Sequence, residues 1–327
     1  MSPELPIALL AGVVLGASAH RAGLCTVKAV AEVATTGRAH ILWSFLKASL
    51  WTTGILALAA LFGAAVDLGQ RPILASGIAG GLIFGLGAAV NGACSFSTLS
   101  RLAEGHLVML FTVLGWGIGI ALFRHVYPGM HLPAVAGSFP VALAFPLSIW
   151  MLWEICSLWR RRDATLAGAR EGYWSLSVSV LLIALANSAL LLAGRPWSFT
   201  STALCSIGAF PIAPCQHTGM LWTISITAML AMLGSSMMRG SFHIRRPRAT
   251  AALRHLVAGL AMGLGAGLIP GGNDGLILFG LPALSPHAMP SWAAIVVGIT
   301  VALSAMRVLG LRIPKISCDG DICRSLP

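Results

Sequence analysis

Two cysteines sit where a thiol could meet a substrate. Cys94 follows Asn91-Gly92-Ala93 and precedes Ser95, Ser97 and Thr98, in a polar, small-residue break between apolar runs. A thiol there is a soft, polarizable group and a weak hydrogen-bond donor, and a helix N-terminus lowers its pKa. Cys25 follows Arg21 by four residues, one helical turn. Thiol and guanidinium can therefore share a face, with Arg21 attracting an anion; Arg21 also reads as a cation that only fixes orientation. A second break runs Pro270-Gly271-Gly272-Asn273-Asp274. Asp274 is an acid inside an apolar stretch, a functional candidate by default. It could carry protons, bind a cation, or cap the helix beginning at Gly275. Cys205 follows Trp197-Ser198-Phe199-Thr200-Ser201-Thr202, a stretch that could line an entrance or anchor at the interface through Trp197.

The other chemistry-bearing residues point to less. Cys318 and Cys323 form a C-x4-C pair, two potential ligands, short of a four-ligand zinc site. No catalytic base stands near them in sequence, and they read as reduced, exposed thiols on a polar tail. Seven cysteines at irregular spacing make no disulfide framework. No nucleotide loop, nucleophile triad or H-E-x-x-H occurs. The expectation is no enzyme, no metal and no cofactor.

Composition says where these residues must work. The 327 residues are 57% apolar and 9% charged, with 37 glycines and a mean hydropathy of +0.86. Soluble domains carry roughly 25% charged residues, so a soluble fold is excluded, and disorder with it. The formal charge of +11 lies between apolar runs, as in cytoplasmic loops of membrane proteins, and implies no nucleic-acid partner. Glu4 replaces the basic region of a secretory signal, so residues 6–19 read as mature fold. Asp67 and Glu154 read as interfacial, and the methionines as packing.

Apolar runs near 40–66, 106–126, 138–159, 172–193, 217–238 and 288–309 are long enough to span hydrocarbon. Between them lie glycine-broken runs: 6–19, 22–36, 73–90 with 94–103, 198–213, and 251–268 with 274–284. Runs of that kind predict broken or re-entrant helices. Strands are not expected, since lipid admits them only as closed barrels. Residues 79–90 and 257–268 repeat one glycine pattern at an offset of 178 residues, which also aligns flanking spans. The reading is two inverted repeats, 1–160 with a connecting helix and 161–310, then a cytosolic tail, 311–327. Arg160-Arg161-Arg162 with Arg170, and Arg239 with Arg245-Arg246-Arg248, mark cytoplasmic loops, whereas 127–138 reads as external. Nine crossings follow, N-terminus outside, C-terminus inside with Arg312, Lys315 and Arg324. The breaks meet near the midplane, where helix N-termini favour anions. The glycines at 80–87 and 259–267 read as close helix packing.

The order Gly16-x4-Arg21-x3-Cys25, then Gly85-x-Gly87-x4-Gly92-Ala93-Cys94 with Arg101 and Glu104-Gly105, resembles the YeeE/YedE family of membrane proteins. So does Gly265-x5-Gly271-Gly272-Asn273. The resemblance covers about residues 6–310. It implies an hourglass-like, inverted-repeat transporter in the bacterial inner membrane, taking up thiosulfate or a related sulfur or selenium compound. Cys94 matches the cysteine of the first broken helix, and Cys25 the inner-side cysteine. The implied partner is a small cytosolic sulfur carrier of the TusA type. The family's second-half motif is Gly-Gly-Cys-Asn. Here Gly272 stands where its repeat mate has Cys94, so one thiol is absent, and Cys205 is the candidate to supply an outer one.

The expected function is inward movement of a small sulfur-containing anion past Cys94 and Cys25. Weak, spaced contacts allow passage, and the thiols are expected to be protonated, since thiolates repel anions. Gly92, Ser95, Gly271, Gly272, Asn273 and Asp274 complete the expected path. The alternatives are a channel or exporter of another anion such as sulfite, and a sulfur-relay scaffold built on Cys318 and Cys323.

Overall fold

The computed structural model describes residues 4–66, 68–127, 139–170, 172–208, 213–269, 271–311 and 313–326. The expectations for Asp67, Pro270, Arg312 and all but the first residue of the 127–138 loop lie outside the described residues. In chain order the helices are α1 (Glu4–Ala22), α2 (Thr26–Thr36), α3 (His40–Leu61), α4 (Ala75–Asn91), α5 (Ser95–Ala103), α6 (Met109–Val126), α7 (Ala144–Arg160), α8 (Arg162–Arg170), α9 (Leu176–Leu192), α10 (Phe199–Ile207), α11 (Thr218–Met238), α12 (Ala249–Leu268), the short α13 (Gly272–Gly275) and α14 (Ala288–Val308). Eight helical stretches, two of them the broken pairs α1–α2 and α4–α5, are long and apolar enough to cross a membrane. The chain is an all-α polytopic membrane protein. The expected nine crossings exceed those eight by α9, whose 17 residues make about 25 Å of helix.

Both expected breaks exist. α4 ends at Asn91 and α5 begins at Ser95; α12 ends at Leu268 and α13 begins at Gly272, continuing into a π turn over Leu276–Gly280. The short α2 and α10 replace the two re-entrant runs. One face of the molecule gathers Arg21, Arg101, Arg239 and Arg324 around one cavity and is called the basic side below.

Glycines set the helix spacing. α12 packs along α6 so closely that a Cβ at Gly259 would lie 2.1 Å from the Thr112 carbonyl oxygen, and one at Gly115 would lie 2.1 Å from that of Leu256. Gly263 meets the Trp116 carbonyl in the same way at 2.2 Å, and Gly81 and Gly85 do so against α14. In lipid, where burial itself drives little helix association, such close backbone packing is what holds helices together.

Three expectations are corrected here. Glu154 is not interfacial: it is buried and paired with Lys47, which also donates to Ser177 Oγ at 2.9 Å. A cation on α3 draws the acid of α7 inward, because a buried charge needs a partner. The tail is not a loose polar segment. It is an antiparallel hairpin, β1 (Lys315–Asp319) and β2 (Ile322–Leu326), pairing Cys318 with Cys323. Gly320 takes the first loop position with φ +56°, as a two-residue hairpin turn with glycine first requires. The strands are allowed because they stand outside the spanning helices. Lastly, the cysteines do form disulfides, Cys205–Cys215 and Cys318–Cys323.

The hairpin is docked firmly. The Asp321 carboxylate accepts from Ser175 Oγ at 2.6 Å and from the Ser177 amide at 2.9 Å, at the start of α9. Ile316 is buried, and the guanidiniums of Arg324 and Arg239 lie over the Tyr173 ring at 4.6 and 4.0 Å from its centroid.

At the other end, the loop before α4 is clasped to the loop before α14. The Arg71 amide donates to Ser285 Oγ at 2.8 Å, which meets His287 Nδ1 at 2.8 Å. Burial, then the Arg71 charge, pushes the His287 pKa down to about 4.

Two predictions follow from these contacts. Gly259→Val forces α6 and α12 apart, with an expected cost of about 1–3 kcal/mol, read as a lower thermal midpoint in detergent. Gly117→Ala on the same α6, where an added Cβ meets nothing within 4 Å, leaves the midpoint unchanged or raises it. For His287 the unfolded chain takes up the proton first as pH falls. The clasp's contribution is complete above the unfolded value, about 6.5, and is lost as pH drops from there towards 4. Hydrogen exchange at 70–71 and 283–287 should rise across that window, and His287→Gln should abolish the rise.

Candidate functional site

Short helices start toward the middle of the bundle, and the site is built from their first turns. Cys25 is the N-cap of α2 and Cys94 the N-cap of α5. Separated by most of a repeat in sequence, the two thiols are in hydrogen-bonding contact, and the Cys94 sulfur also faces the amides of Ser97 and Thr26. Neither sulfur completes a capping hydrogen bond of full geometry, in keeping with sulfur as a weak acceptor. Both are fully buried. Thr26 Oγ1 donates to Asn273 Oδ1 at 3.2 Å, tying α2 to the second break. Ser95 Oγ, on the first residue of α5, is buried beside the Asp274 carboxyl group.

Asp274 does cap a helix, though not its own. Its carboxylate accepts from the Thr200 amide at 3.1 Å and, through a short bond, from Thr200 Oγ1. Thr200 lies in the first turn of α10, whose N-cap Ser198 accepts from the Ser201 amide at 2.9 Å. The acid therefore closes the N-terminus of α10, where the helix dipole favours a negative charge.

Asn91 is the corresponding hub of the first break. Its Nδ2 donates to the Ala93 carbonyl at 2.9 Å and to Thr98 Oγ1 at 2.8 Å; its Oδ1 meets Thr112 Oγ1 at 2.6 Å and His255 Nδ1 at 2.7 Å. Four helices are thus pinned where backbone bonds are lost. Thr112 and His255 have no sequence signal, since each looks like an ordinary helix residue.

A cavity of about 410 Å³ opens on the basic side. Arg21, Lys28, Arg101, Arg239 and Arg324 line it with Glu104, Ser97 and Ser100. Arg21 does not share a helix face with Cys25 as expected: α1 stops at Ala22 and the chain turns at Gly23, φ +62°. Its guanidinium instead donates to Ser235 Oγ at 2.8 Å and the Gly172 carbonyl at 3.4 Å, still in the cavity wall. Glu104 lies 3.3 Å from His20. Burial alone raises its pKa, but the His20 contact and nearby cations hold it below the usual carboxylate value. Lys28, three residues past Cys25, reads in the sequence only as a cytoplasmic-side cation, because its neighbours in this cavity are distant in the chain.

Beyond the thiols lies a second space of only about 40 Å³, lined by Cys94, Asn273, Asp274, Leu24 and Phe96. That volume holds a few waters at most. Phe96, Trp197 and Phe199 pack edge to face on one another beside it, with ring centroids 4.8 to 6.1 Å apart. Trp197 is fully buried and donates to Ser225 Oγ at 3.0 Å; it is not an interfacial anchor.

Gly92, with φ +71°, turns the chain beside Arg101 and lines a larger cavity of about 1000 Å³ that shares Arg101 and His106 with the vestibule. Gly271 is the N-cap of α13. Gly272 has φ +59°, and a Cβ there would lie 2.6 Å from Thr200 Cγ2. Thr200 occupies the room a cysteine side chain would need. Cys205 does not replace that thiol. It sits near the far end of α10, bonded to Cys215, and a disulfide has no S–H to donate. Glu32, His40 and Cys318 offer atoms within 4.8 Å of one another. Both Glu32 oxygens, however, already accept hydrogen bonds from the start of α3, which disfavours a metal ion there.

A family model described as sulphur transport matches residues 21–301. Among curated proteins the chain is 30% identical over 141 residues to a probable transporter YedE of Salmonella typhimurium, covering 42% of this chain and 33% of that one. It is 30% identical over 138 residues to a probable transporter YedE of Escherichia coli, covering 41% and 33%. The chain spans about a third of the length of the curated relatives it matches. With a match running through both breaks and both buried thiols, the chain belongs to the sulphur-transport family of membrane proteins.

Proposed function

We propose that the chain carries a small sulfur oxyanion of the thiosulfate type across the bacterial inner membrane. The basic side faces the cytoplasm, since short loops rich in Lys and Arg stay inside. The anion moves inward, past Cys94 and Cys25, into the cation-lined vestibule. A small cytosolic sulfur carrier is the partner that collects it there.

One observation carries this reading: two protonatable thiols meet at the starts of two helices, directly behind a cluster of fixed cations. Thiols offer weak donors to sulfur or oxygen, and the amides of the first turns add positive potential. Each contact is weak, so the anion is passed on rather than held. The cations of the vestibule draw it out of the low-dielectric constriction. Asp274, by contrast, is held by Thr200, so it serves as a fixed cap and not as a proton carrier.

Proteoliposomes loaded with a panel of labelled anions (thiosulfate, sulfite, sulfate, selenite) test the assignment. Thiosulfate should accumulate and sulfate should not; preferential movement of sulfite would favour an exporter or channel for that anion. Cys94→Ala should slow thiosulfate uptake on the order of tenfold or more, the loss of one hydrogen bond to a charged partner. Lys28→Met should raise the half-saturating concentration by about tenfold and weaken its dependence on salt, because a charge that draws the anion is lost.

A further inference from the structure

The vestibule has one wall that passage alone leaves unused. Cys323 of β2 lines it beside Arg21, Lys28 and Arg239. Its partner Cys318 lies across the hairpin, bonded to it. The Cys318 sulfur lies within 4.8 Å of an imidazole nitrogen of His40 and an oxygen of Glu32. His40 Nδ1 is 2.8 Å from Glu32 Oε1, and the amides of His40 and Ile41, at 3.1 and 2.9 Å, fix that carboxylate. A buried acid thus holds an imidazole whose ring stands close to a cysteine sulfur. A nucleophile, its base and the group that orients the base are arranged in this way. The base missing from the sequence around these thiols comes from α3.

The two disulfides also differ in place. Cys205–Cys215 lies by the end of α10, where Arg124 binds the Ile207 carbonyl, on the face away from the vestibule. Cys318–Cys323 lies on the basic side. With that side in the cytoplasm the pair meets a reducing environment, where disulfides are transient and catalytic or redox-sensing.

We propose that Cys318 and Cys323 form a dithiol–disulfide centre that takes the sulfane sulfur from the thiosulfate-type anion reaching the vestibule. The proposal rests on the substrate class and orientation given above. In the dithiol form the Cys323 thiolate, set among cations that favour it, attacks the sulfane sulfur. The sulfur–sulfur bond of thiosulfate breaks and its electron pair leaves with sulfite, so Cys323 becomes a persulfide. Cys318, its proton taken by His40, then attacks Cys323 Sγ. The bond to the extra sulfur breaks, hydrosulfide leaves, and the disulfide forms. One dithiol and one thiosulfate give one disulfide, one sulfite, one hydrosulfide and one proton. The two electrons come from the dithiol, which a cytosolic dithiol reductant restores.

The test uses the full chain in liposomes, with thiosulfate labelled at its sulfane sulfur. Reduced wild type should release one sulfite and one sulfide per chain and end as the Cys318–Cys323 disulfide by mass; the oxidised protein should release neither. Cys318→Ser should release sulfite but keep the label on Cys323. His40→Gln should release sulfite normally and slow sulfide release about a hundredfold or more, the usual loss of a general base. If Cys318→Ser loosens the hairpin, the comparison of reduced with oxidised wild type decides alone. Reduced protein that releases no more sulfite than the oxidised form overturns the proposal. Uptake in the same vesicles separates the two readings: uptake without sulfite sinks the exchange centre only, and sulfite without uptake leaves the centre standing and sinks transport.

Discussion

A helix that starts inside the bundle must find partners for its first amides. In hydrocarbon each unpaired backbone group costs several kcal/mol, and this structure starts α2, α5 and α10 away from water. The rest of the architecture follows from how those starts are closed. At α10 the solution is a carboxyl group: Asp274 takes the Thr200 amide and hydroxyl. At the end of α4 it is one amide side chain, Asn91, which reaches α5, α6 and α12. At α2 and α5 it is only a pair of sulfurs. Of the three starts, that of α10 is closed strongly, and those of α2 and α5 weakly.

The same constraint orders the electrostatics. Helix starts give positive potential at the centre, and the vestibule extends it with fixed cations. Among the described residues Glu104 is the acid lining that cavity, and His20 engages it at 3.3 Å. Asp274 is turned toward α10. Glycine packing makes this stiff: α6, α12, α4 and α14 approach through backbone contacts that admit no Cβ. The spans thus form a frame, and the space of about 40 Å³ inside it is bordered by the short helices and the side chain of Phe96.

Local features were legible in the sequence. The spans, the breaks at 91–95 and after Leu268, and the packing role of the glycines all rest on hydropathy and small residues within a few positions. The site was half legible. Cys94 was marked by its own break. The pairing of Cys25 with Cys94, the gathering of Lys28, Arg101 and Arg239, and the hub at Asn91 are long-range contacts that no local pattern carries. Arg21 was misplaced because four-residue spacing implies a shared face only inside one helix, and Gly23 ends that helix. Cys205 was misread because a disulfide to Cys215 needs a turn whose geometry is tertiary. The turn Gly320-Asp321 is a glycine-first hairpin signal that lies outside the apolar runs.

Gly272 shows why the two halves are not equivalent. If the family's cysteine stood there, its Cβ would collide with Thr200, and φ +59° would strain any side chain. Room for a thiol could come only if Thr200 moved, and Thr200 is what binds Asp274. The Asp274–Thr200 clamp and a third central thiol therefore exclude each other in this backbone. A thiol is a soft contact that a substrate can displace; a carboxylate bound to an amide and a hydroxyl is not. The clamp fixes α10. Which residue fills the space beside one glycine thus leaves the second break anchored by a carboxyl group while the first keeps two thiols at its helix starts.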